Sequence, residues 1–435
     1  MPSYRILPLL ALSVSLAGRA VALQPLRAFV DSSEAHNPDA RESRANLDSA
    51  RAAGDVSLGR QLPSLDVRGT YTRNQYAIVL PLALLEPGST GTLTLAPFDQ
   101  FDFSGTVSVP LVDMASFWRI RAARVAADAA DQQVQATRLQ VESQVVQDYY
   151  QLIADLALVS AAQRALDVAK AGQALTLELV SLGRAPPLEQ DRAAAEVERS
   201  VQQLAQAQLL VAVATQALAS ASGLAPQVTG AEPQPQDDLH PEAEEASFAP
   251  PEAGTPAMQA ARLAMRSAEL QGQAARLQLI PTLSGSVNEH SGNYVGFSGY
   301  ENAWTGLLQL TWHFDYASIA AFRLQDAQTA AADARRERVA LLTLDAIHDA
   351  WAQVRAAIAR SRSARIQQAA TDHAERLASD RYQAGAATQL DLLQAQRDAF
   401  SAAVARIQSD ADLANARLQL RLAAGRDPFE RGATP

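Results

Sequence analysis

The sequence predicts a mainly α-helical chain with a small β part, written as two copies of one unit: a helix, two strands and a long helical hairpin. Three observations carry this expectation. Landmark residues recur at a constant offset, long proline-free stretches show helical periodicity, and short windows alternate apolar with polar residues.

The offset organises the rest. Asp113 and Asp315, Gly183 and Gly385, and Gly223 and Gly425 are each 202 positions apart, and Pro226 and Pro428 follow the last pair. Two segments of more than 110 residues therefore align without a gap. Upstream, Asn37-Pro38 and Thr255-Pro256 open the copies, and the Pro63 and Pro281 that follow sit at an offset of 218. The first copy thus holds 16 extra residues between Pro63 and Asp113. Loops accept insertions at low cost, which assigns the extra length to the loop at 73–99, whose shorter counterpart is 289–302. The expected divisions are a first copy at 23–226, a connector rich in proline and acid at 227–255, a second copy at 256–428 and a tail at 429–435.

Within each copy the helices are read from spacing. Val145, Tyr149, Leu152 and Leu156 recur at 4-3-4, as do Ile347, Trp351, Val354 and Ile358; that alternation is a coiled-coil seam. No proline interrupts Ala115 to Leu182, so this helix can run roughly 100 Å at 1.5 Å per residue. Gly183 with Pro186-Pro187, and Gly385 in the second copy, break the chain and return it. Long helices are expected at about 115–182 and 188–222, and at about 317–383 and 389–424.

Strands are expected at about 64–72 and 101–111, and at about 282–289 and 303–314. Phe101, Phe103, Val107, Val109 and Leu111 alternate with Asp102, Ser104, Thr106 and Ser108. Trp304, Leu308, Leu310, Trp312 and Phe314 alternate with Thr305, Gln309, Thr311 and His313. Period two gives a sheet with one apolar and one polar face. Residues 64–118 and 281–323 hold 15 of the 24 aromatic residues, and aromatic rings favour the interfaces of a membrane barrel. A two-faced sheet packed on helices in water would alternate in the same way. If the sheet does span a membrane, four strands are too few to close it, since the smallest such barrels have about eight. Several protomers must then pool their strands.

Composition narrows the function. A net charge of −10 argues against nucleic-acid binding. The absence of cysteine removes disulfides, thiolate metal sites, Cys nucleophiles and a thiol-linked lipid anchor. The six histidines are scattered, with no pair at metal-ligand spacing. No phosphate loop, carboxylate pair in an apolar setting or catalytic triad can be read, so an enzyme, a metal site and a cofactor are not expected. Residues 1–22 read as a cleavable export signal: Arg5, the apolar run Ile6 to Ala17, then Ala20-Val21-Ala22. Residues 200–231 carry no charge, but Gln202, Gln203, Gln206, Gln208 and Gln216 interrupt them, and the equivalent stretch holds Arg406, Asp410, Asp412, Arg417 and Arg421. That is a water-soluble helix and not a span. The acids of the connector, Asp237, Asp238, Glu242, Glu244 and Glu245, read as a solvated surface.

Local signatures then point to a family. Gln61-Leu62-Pro63-Ser64-Leu65 and Leu279-Ile280-Pro281-Thr282-Leu283 mark the first strands, and Pro110-Leu111-Val112-Asp113 and Trp312-His313-Phe314-Asp315 mark the switch to helix. Arg381-Tyr382-Gln383-Ala384-Gly385, followed by Leu390-Asp391-Leu392-Leu393-Gln394-Ala395-Gln396, is the most specific. In this order, and duplicated, they resemble the TolC-like outer-membrane efflux proteins over essentially all of the chain after the signal.

The resemblance implies a homotrimer whose twelve strands form one β-barrel in the outer membrane of a Gram-negative bacterium, surrounded by its lipid and continuous with an α-helical coiled-coil barrel in the periplasm. It implies a passive exit duct of a tripartite efflux or type I secretion system. The partners would be a periplasmic adaptor (a membrane fusion protein) and an inner-membrane pump or ABC exporter. Carried over by motif, the adaptor would dock on the tip turns Gly183-Arg184 and Gly385-Ala386, where glycine supplies a positive φ. Asp391 would be a pore-facing acid of the periplasmic gate, and Gln394 stands where a second acid is common. Tyr382 and Glu189 match positions that hydrogen-bond between hairpins. Ala387 stands where an arginine is often found, so a weaker ion-pair network is expected, and Pro186-Pro187 are expected to alter the first tip. The rival readings are a periplasmic coiled-coil adaptor, which carries one hairpin, and a structural envelope protein, which needs no aromatic strands.

Overall fold

The computed structural model describes residues 23–84, 87–228, 237–295 and 300–429; the export signal and nearly all of the tail read from the sequence lie outside them. The elements in chain order are α1 (Leu26–His36), α2 (Pro38–Gly59), β1 (Ser64–Arg73), β2 (Ile78–Pro81), β3 (Thr92–Ala96), β4 (Asp99–Val112), α3 (Met114–Ser181), α4 (Pro187–Ser222), α5 (Pro256–Leu277), β5 (Thr282–Gly292), β6 (Asn302–Thr311), α6 (Tyr316–Gln383) and α7 (Gln389–Ala423). The chain divides into two compact units.

One unit comprises residues 42–137 and 250–344. Its centre is an antiparallel sheet in the order β1-β4-β5-β6. The register stacks Leu65 on Val107 and Val107 on Val287, and sets Leu283 beside Leu310. One face is therefore apolar over its middle, because residues two apart share a face; Glu289, between Gly105 and Trp304, and Arg73, opposite Asp99, lie on it toward one end. Every residue of β1 and β6 is exposed, so this face is not buried under helices as it would be in a sheet packed in water. Pro110, which lacks an N–H, sits at a bulge between Pro110 and Val112 in the central strand β4.

The strands hand over to helices through two aspartates. Asp113 Oδ1 accepts the Ser116 N–H at 2.9 Å, and Asp315 Oδ1 accepts that of Ser318 at 2.7 Å. Each satisfies a backbone donor that a helix start leaves free. The 68-residue helices α3 and α6 begin there.

Three local readings change. Sequence alternation carries the last strand to residue 314, but β6 stops at Thr311. Thr311 pairs with Thr282, the first residue of β5 after Pro281, so Trp312 onward has no strand to bond to. The stretch at 73–99 is not a plain loop: β2 and β3 form a second hairpin in it, with Leu80 opposite Leu93. The helix opening the first copy is two helices. Asn37 is held extended by the following proline (ψ 131°), and its Oδ1 accepts the Asp39 N–H at 2.8 Å to start α2.

The other unit comprises residues up to 41, 138–249 and 345 onward. The coiled-coil seam residues lie in its two main cores. Val145 and Leu152 are fully buried with Phe29, Val146 and Leu218. Ile347, Val354 and Ile358 are buried with Phe248, Leu413 and Leu420. Fully burying a side chain of this size contributes about 1.5–3 kcal/mol. Among the described residues α4 is the one helix apolar enough to cross a membrane by composition. Its buried residues Ala193, Val197, Ser200, Ala207, Ala214 and Leu218 recur at helical spacing, the stripe of a helix packed on a neighbour.

The connector departs most from expectation. Its acids are not simply solvated: Asp237 accepts from Arg417 Nε at 2.8 Å, and Glu242 pairs with the same guanidinium. The Arg417 side chain is 7% exposed and the two carboxylates 10% and 11%. Phe248 anchors the far end of the strap in the second core, and Trp351 Nε1 donates to the Ala243 carbonyl at 3.0 Å. Asp237, Asp238 and His240 lie close enough to share a cation. Arg417, however, already occupies both oxygens of Asp237 and opposes a second positive charge.

Candidate functional site at the helical tips

The hairpins α3–α4 and α6–α7 end in two turns of the same construction. In the first, the N–H of Arg184 bonds the Leu179 carbonyl at 2.8 Å and that of Gly183 bonds Val180 at 3.0 Å. In the second, Ala386 bonds Arg381 at 2.8 Å and Gly385 bonds Tyr382 at 3.0 Å. These crossed bonds satisfy the last carbonyls of the helix and require a left-handed residue; Gly183 has φ +70° and Gly385 φ +73°. The expected change in the first tip's turn is absent, because Pro186-Pro187 come after the turn and act on the start of α4. A Cβ added at either glycine would meet no atom within 4 Å. The two turns are bare backbone, and Arg184 is exposed beside the first.

Behind the turns the hairpins are tied together. Tyr382 Oη donates to Glu189 Oε2 at 3.0 Å, bringing together two of the residues singled out from the sequence. Thr176 Oγ1 lies 3.4 Å from the same hydroxyl. Tyr382 is buried, and burial, joined by the neighbouring Glu189 carboxylate, raises its phenol above the ordinary value. The hydroxyl therefore stays protonated and donates. Gln389, also buried, gives its Nε2–H to the Glu189 carbonyl at 2.7 Å.

Asp391 is exposed, and its carboxylate is engaged locally. Oδ2 accepts the Thr388 hydroxyl at 2.7 Å and the Thr388 N–H at 3.1 Å, while the Thr388 hydroxyl accepts the Asp391 N–H. This reciprocal cap starts α7. The Thr388 donors hold the carboxyl below the usual carboxylate range. Gln394, one turn on, donates to Asp398 at 2.9 Å and does not join the tie.

Sequence reading missed a second tie. Arg397 Nη2 and Nε reach Glu196 Oε2 at 2.6 and 3.1 Å, and Arg199 lies 3.3 Å from the same oxygen. Glu196 is 8% exposed. Glu189 and Glu196 are seven residues apart on α4, hence two turns along one face, which was the available signal. Ala387 does leave the tip without an arginine, but Arg397 supplies an ion pair further along, on the wall of an open cleft of about 660 Å³.

The groups gathered here bind helix to helix, and the sheet offers an apolar wall with two unpaired edges. Those are the attributes of a channel protomer of the outer membrane rather than of an enzyme. The chain belongs to the outer membrane efflux protein family, whose model matches residues 29–224 and 252–426. A curated relative from Pseudomonas putida, the probable efflux pump outer membrane protein TtgC, is 24% identical over 401 residues, spanning 88% of this chain and 79% of its own. Among solved structures, the Campylobacter jejuni CmeC outer membrane channel superposes with a TM-score of 0.78 at 18% identity, over 98% of this chain and 93% of that one. The open state of the Neisseria gonorrhoeae MtrE outer membrane channel gives 0.73 at 19%, over 93% and 90%. At these identities the two structures speak for the fold.

Proposed function

We propose that three copies of this duplicated chain assemble into a passive exit duct of a tripartite efflux or secretion system, with a twelve-strand barrel in the outer membrane and a helical coiled-coil barrel in the periplasm. One observation carries the reading. The sheet exposes its apolar face, with Trp304 73% and Leu308 67% exposed, and leaves β1 and β6 as unpaired edges. Bare edges of this kind pair with another chain or aggregate, and a closed ring of strands is the β structure that satisfies every backbone group in lipid. The height supports it. Trp304 and Trp312 are eight residues apart, the second just past the end of β6, roughly 26 Å of extended chain at 3.3 Å per residue and about 20 Å of height at a barrel tilt of about 40°, comparable to an apolar band of about 25 Å.

In this reading the barrel, not a lipidated cysteine, holds the protein in the membrane, and the signal at 1–22 delivers it. A periplasmic adaptor docks on the bare turns Gly183-Arg184 and Gly385-Ala386, and an inner-membrane pump or exporter supplies the energy. Tyr382 and Glu189 latch the entrance, with Asp391 and Gln394 lining it. Light scattering on detergent-extracted protein and recordings in planar bilayers test the proposal. A particle of three chains, each lighter than the 46.4 kDa of the full sequence by the cleaved signal, that conducts ions is expected; a stable monomer that never conducts defeats it.

A further inference from the structure

We infer that Arg121 and Arg323 bind the headgroup phosphates of anionic phospholipid in the periplasmic leaflet of the outer membrane, an inference that rests on the barrel reading above. The first turns of α3 carry the argument. Met114, Phe117, Arg121 and Arg124 follow 3-4-3 spacing and are all exposed, whereas Ala115, Ser116, Ile120 and Ala122 are buried. They form one open face. This face continues the apolar side of the sheet: Leu111, three residues before Met114, is exposed and lies against the Gly285 position of the apolar face.

The Arg121 guanidinium stands 5.1 Å from the Trp118 ring centroid and 5.8 Å from that of Phe117. Stacking on the rings fixes the cation while leaving its N–H edges open. Among the described residues neither Arg121, Arg124 nor Arg323 has an acid within ion-pair distance, in a chain with a net charge of −10. Their N–H edges are open to an anion from outside the chain.

The position recurs. Arg323 lies eight residues after the helix-capping Asp315, as Arg121 lies eight after Asp113. It too is exposed, below the exposed rings of Trp312, Phe314 and Tyr316. Arg124 is not repeated in kind, since its counterpart Asp326 is held by Arg276 Nη2 at 2.8 Å. The depth fits a headgroup. From Phe117 to Arg121 the helix descends about 6 Å, and the polar layer on each side of the roughly 30 Å hydrocarbon core is about 5–7 Å thick. Aromatic rings at the boundary with basic residues just beyond it are the arrangement that membrane interfaces select.

The test is native mass spectrometry of the delipidated full-length protein in mixed micelles containing dioleoylphosphatidylglycerol or dioleoylphosphatidylcholine. The native protein is expected to retain phosphatidylglycerol over phosphatidylcholine. The double variant Arg121→Gln, Arg323→Gln should lose that preference by about fivefold per arginine, and Arg121→Lys, Arg323→Lys should keep most of it. Equal retention of the two lipids by the native protein, or undiminished preference in the glutamine variant, overturns the inference. Displacement of the lipid by inorganic phosphate would mark a free-anion site and overturn it as well; indifference to phosphate supports it. Bilayer conductance separates the two claims. A glutamine variant that conducts normally yet loses phosphatidylglycerol supports the lipid site, whereas a native protein that never conducts defeats the channel itself. Should the glutamine variant fail to fold, the native protein's lipid preference and the lysine variant still decide.

Discussion

Replacing Tyr382 by phenylalanine removes one hydroxyl and almost no volume, so its effect reports the bond to Glu189 and little else. The bond joins a buried donor to a carboxylate at 3.0 Å. Hydrogen bonds to charged groups contribute about 1.5–3 kcal/mol when well enclosed. Glu189 is only half-buried, so solvent screening reduces this to about 1 kcal/mol. Thr176 is not stranded by the change, because its hydroxyl also donates to the Gly172 carbonyl at 2.9 Å. If the three protomers of the proposed trimer must open together, the loss is about 3 kcal/mol, a shift of about two orders of magnitude toward the open state. Single-channel recordings in planar bilayers measure this as open-state occupancy. Adding Arg397→Gln, which removes the bond to Glu196, should raise occupancy further. If both the single and the double variant rest closed like the native protein, these bonds do not latch the gate.

Other outcomes follow from the same geometry. Leu308 lies on the apolar face and Gln309 on the opposite one, so Leu308→Arg should cost about 2–4 kcal/mol near mid-membrane and abolish heat-modifiable trimers on gels. Gln309→Arg should be tolerated, and equal tolerance of the two would reverse the face assignment. Arg417→Ala strands Asp237 and Glu242 of the connector strap. Breaking a buried pair in this way costs about 3–5 kcal/mol, to be read from urea unfolding; a loss under about 0.5 kcal/mol would show that the cluster is solvated after all. The Asp391 carboxyl is held low by Thr388. Its contribution to the start of α7 is therefore fully present above the ordinary carboxylate range and is lost as pH falls through its lowered value. Amide protection in the first turn of α7 should decline on acidification in the native protein and stay flat in Asp391→Asn; parallel profiles would refute the assignment.

What the sequence made legible was whatever rests on local chemistry. Asp113 and Asp315 announce helix starts because a side-chain carboxylate meets a free N–H three residues on. Gly183 and Gly385 announce turns because a positive φ strains other residues, and the seam at Val145, Leu152, Ile347 and Val354 announces buried faces through its spacing. What stayed hidden depends on distant partners. The end of β6 at Thr311 is set by where Pro281 lets β5 begin, although Trp312 and Phe314 continue the alternation. Arg417 meets Asp237 across 180 residues and Arg397 meets Glu196 across 201; at such separations the Glu189–Glu196 spacing marks a shared face but nothing local names the partner. Acid-rich composition made the connector look solvated when its key carboxylates are enclosed.

The two tips also differ in how the third residue of the returning helix is held, and the Tyr382–Glu189 bond has no counterpart at the other tip, where Val180 stands in the place of Tyr382. Glu189 and Asp391 are 202 residues apart and each is the third residue of its helix. In α7 the residue before the helix is Thr388, whose hydroxyl and N–H fold Asp391 back into a cap. In α4 that residue is Pro186, which has neither group, and no side-chain cap forms. Glu189 is thereby left free to accept from Tyr382. Pro186→Thr should restore the cap, stabilise the start of α4 by about 0.5–2 kcal/mol, and draw the carboxylate from the Tyr382 hydroxyl. The expected signature is a channel that opens more readily although its helix is better capped, with occupancy between the native protein and Tyr382→Phe. If Tyr382→Phe opens the channel but Pro186→Thr does not, Glu189 serves cap and latch together and the prolines do not decide its partner.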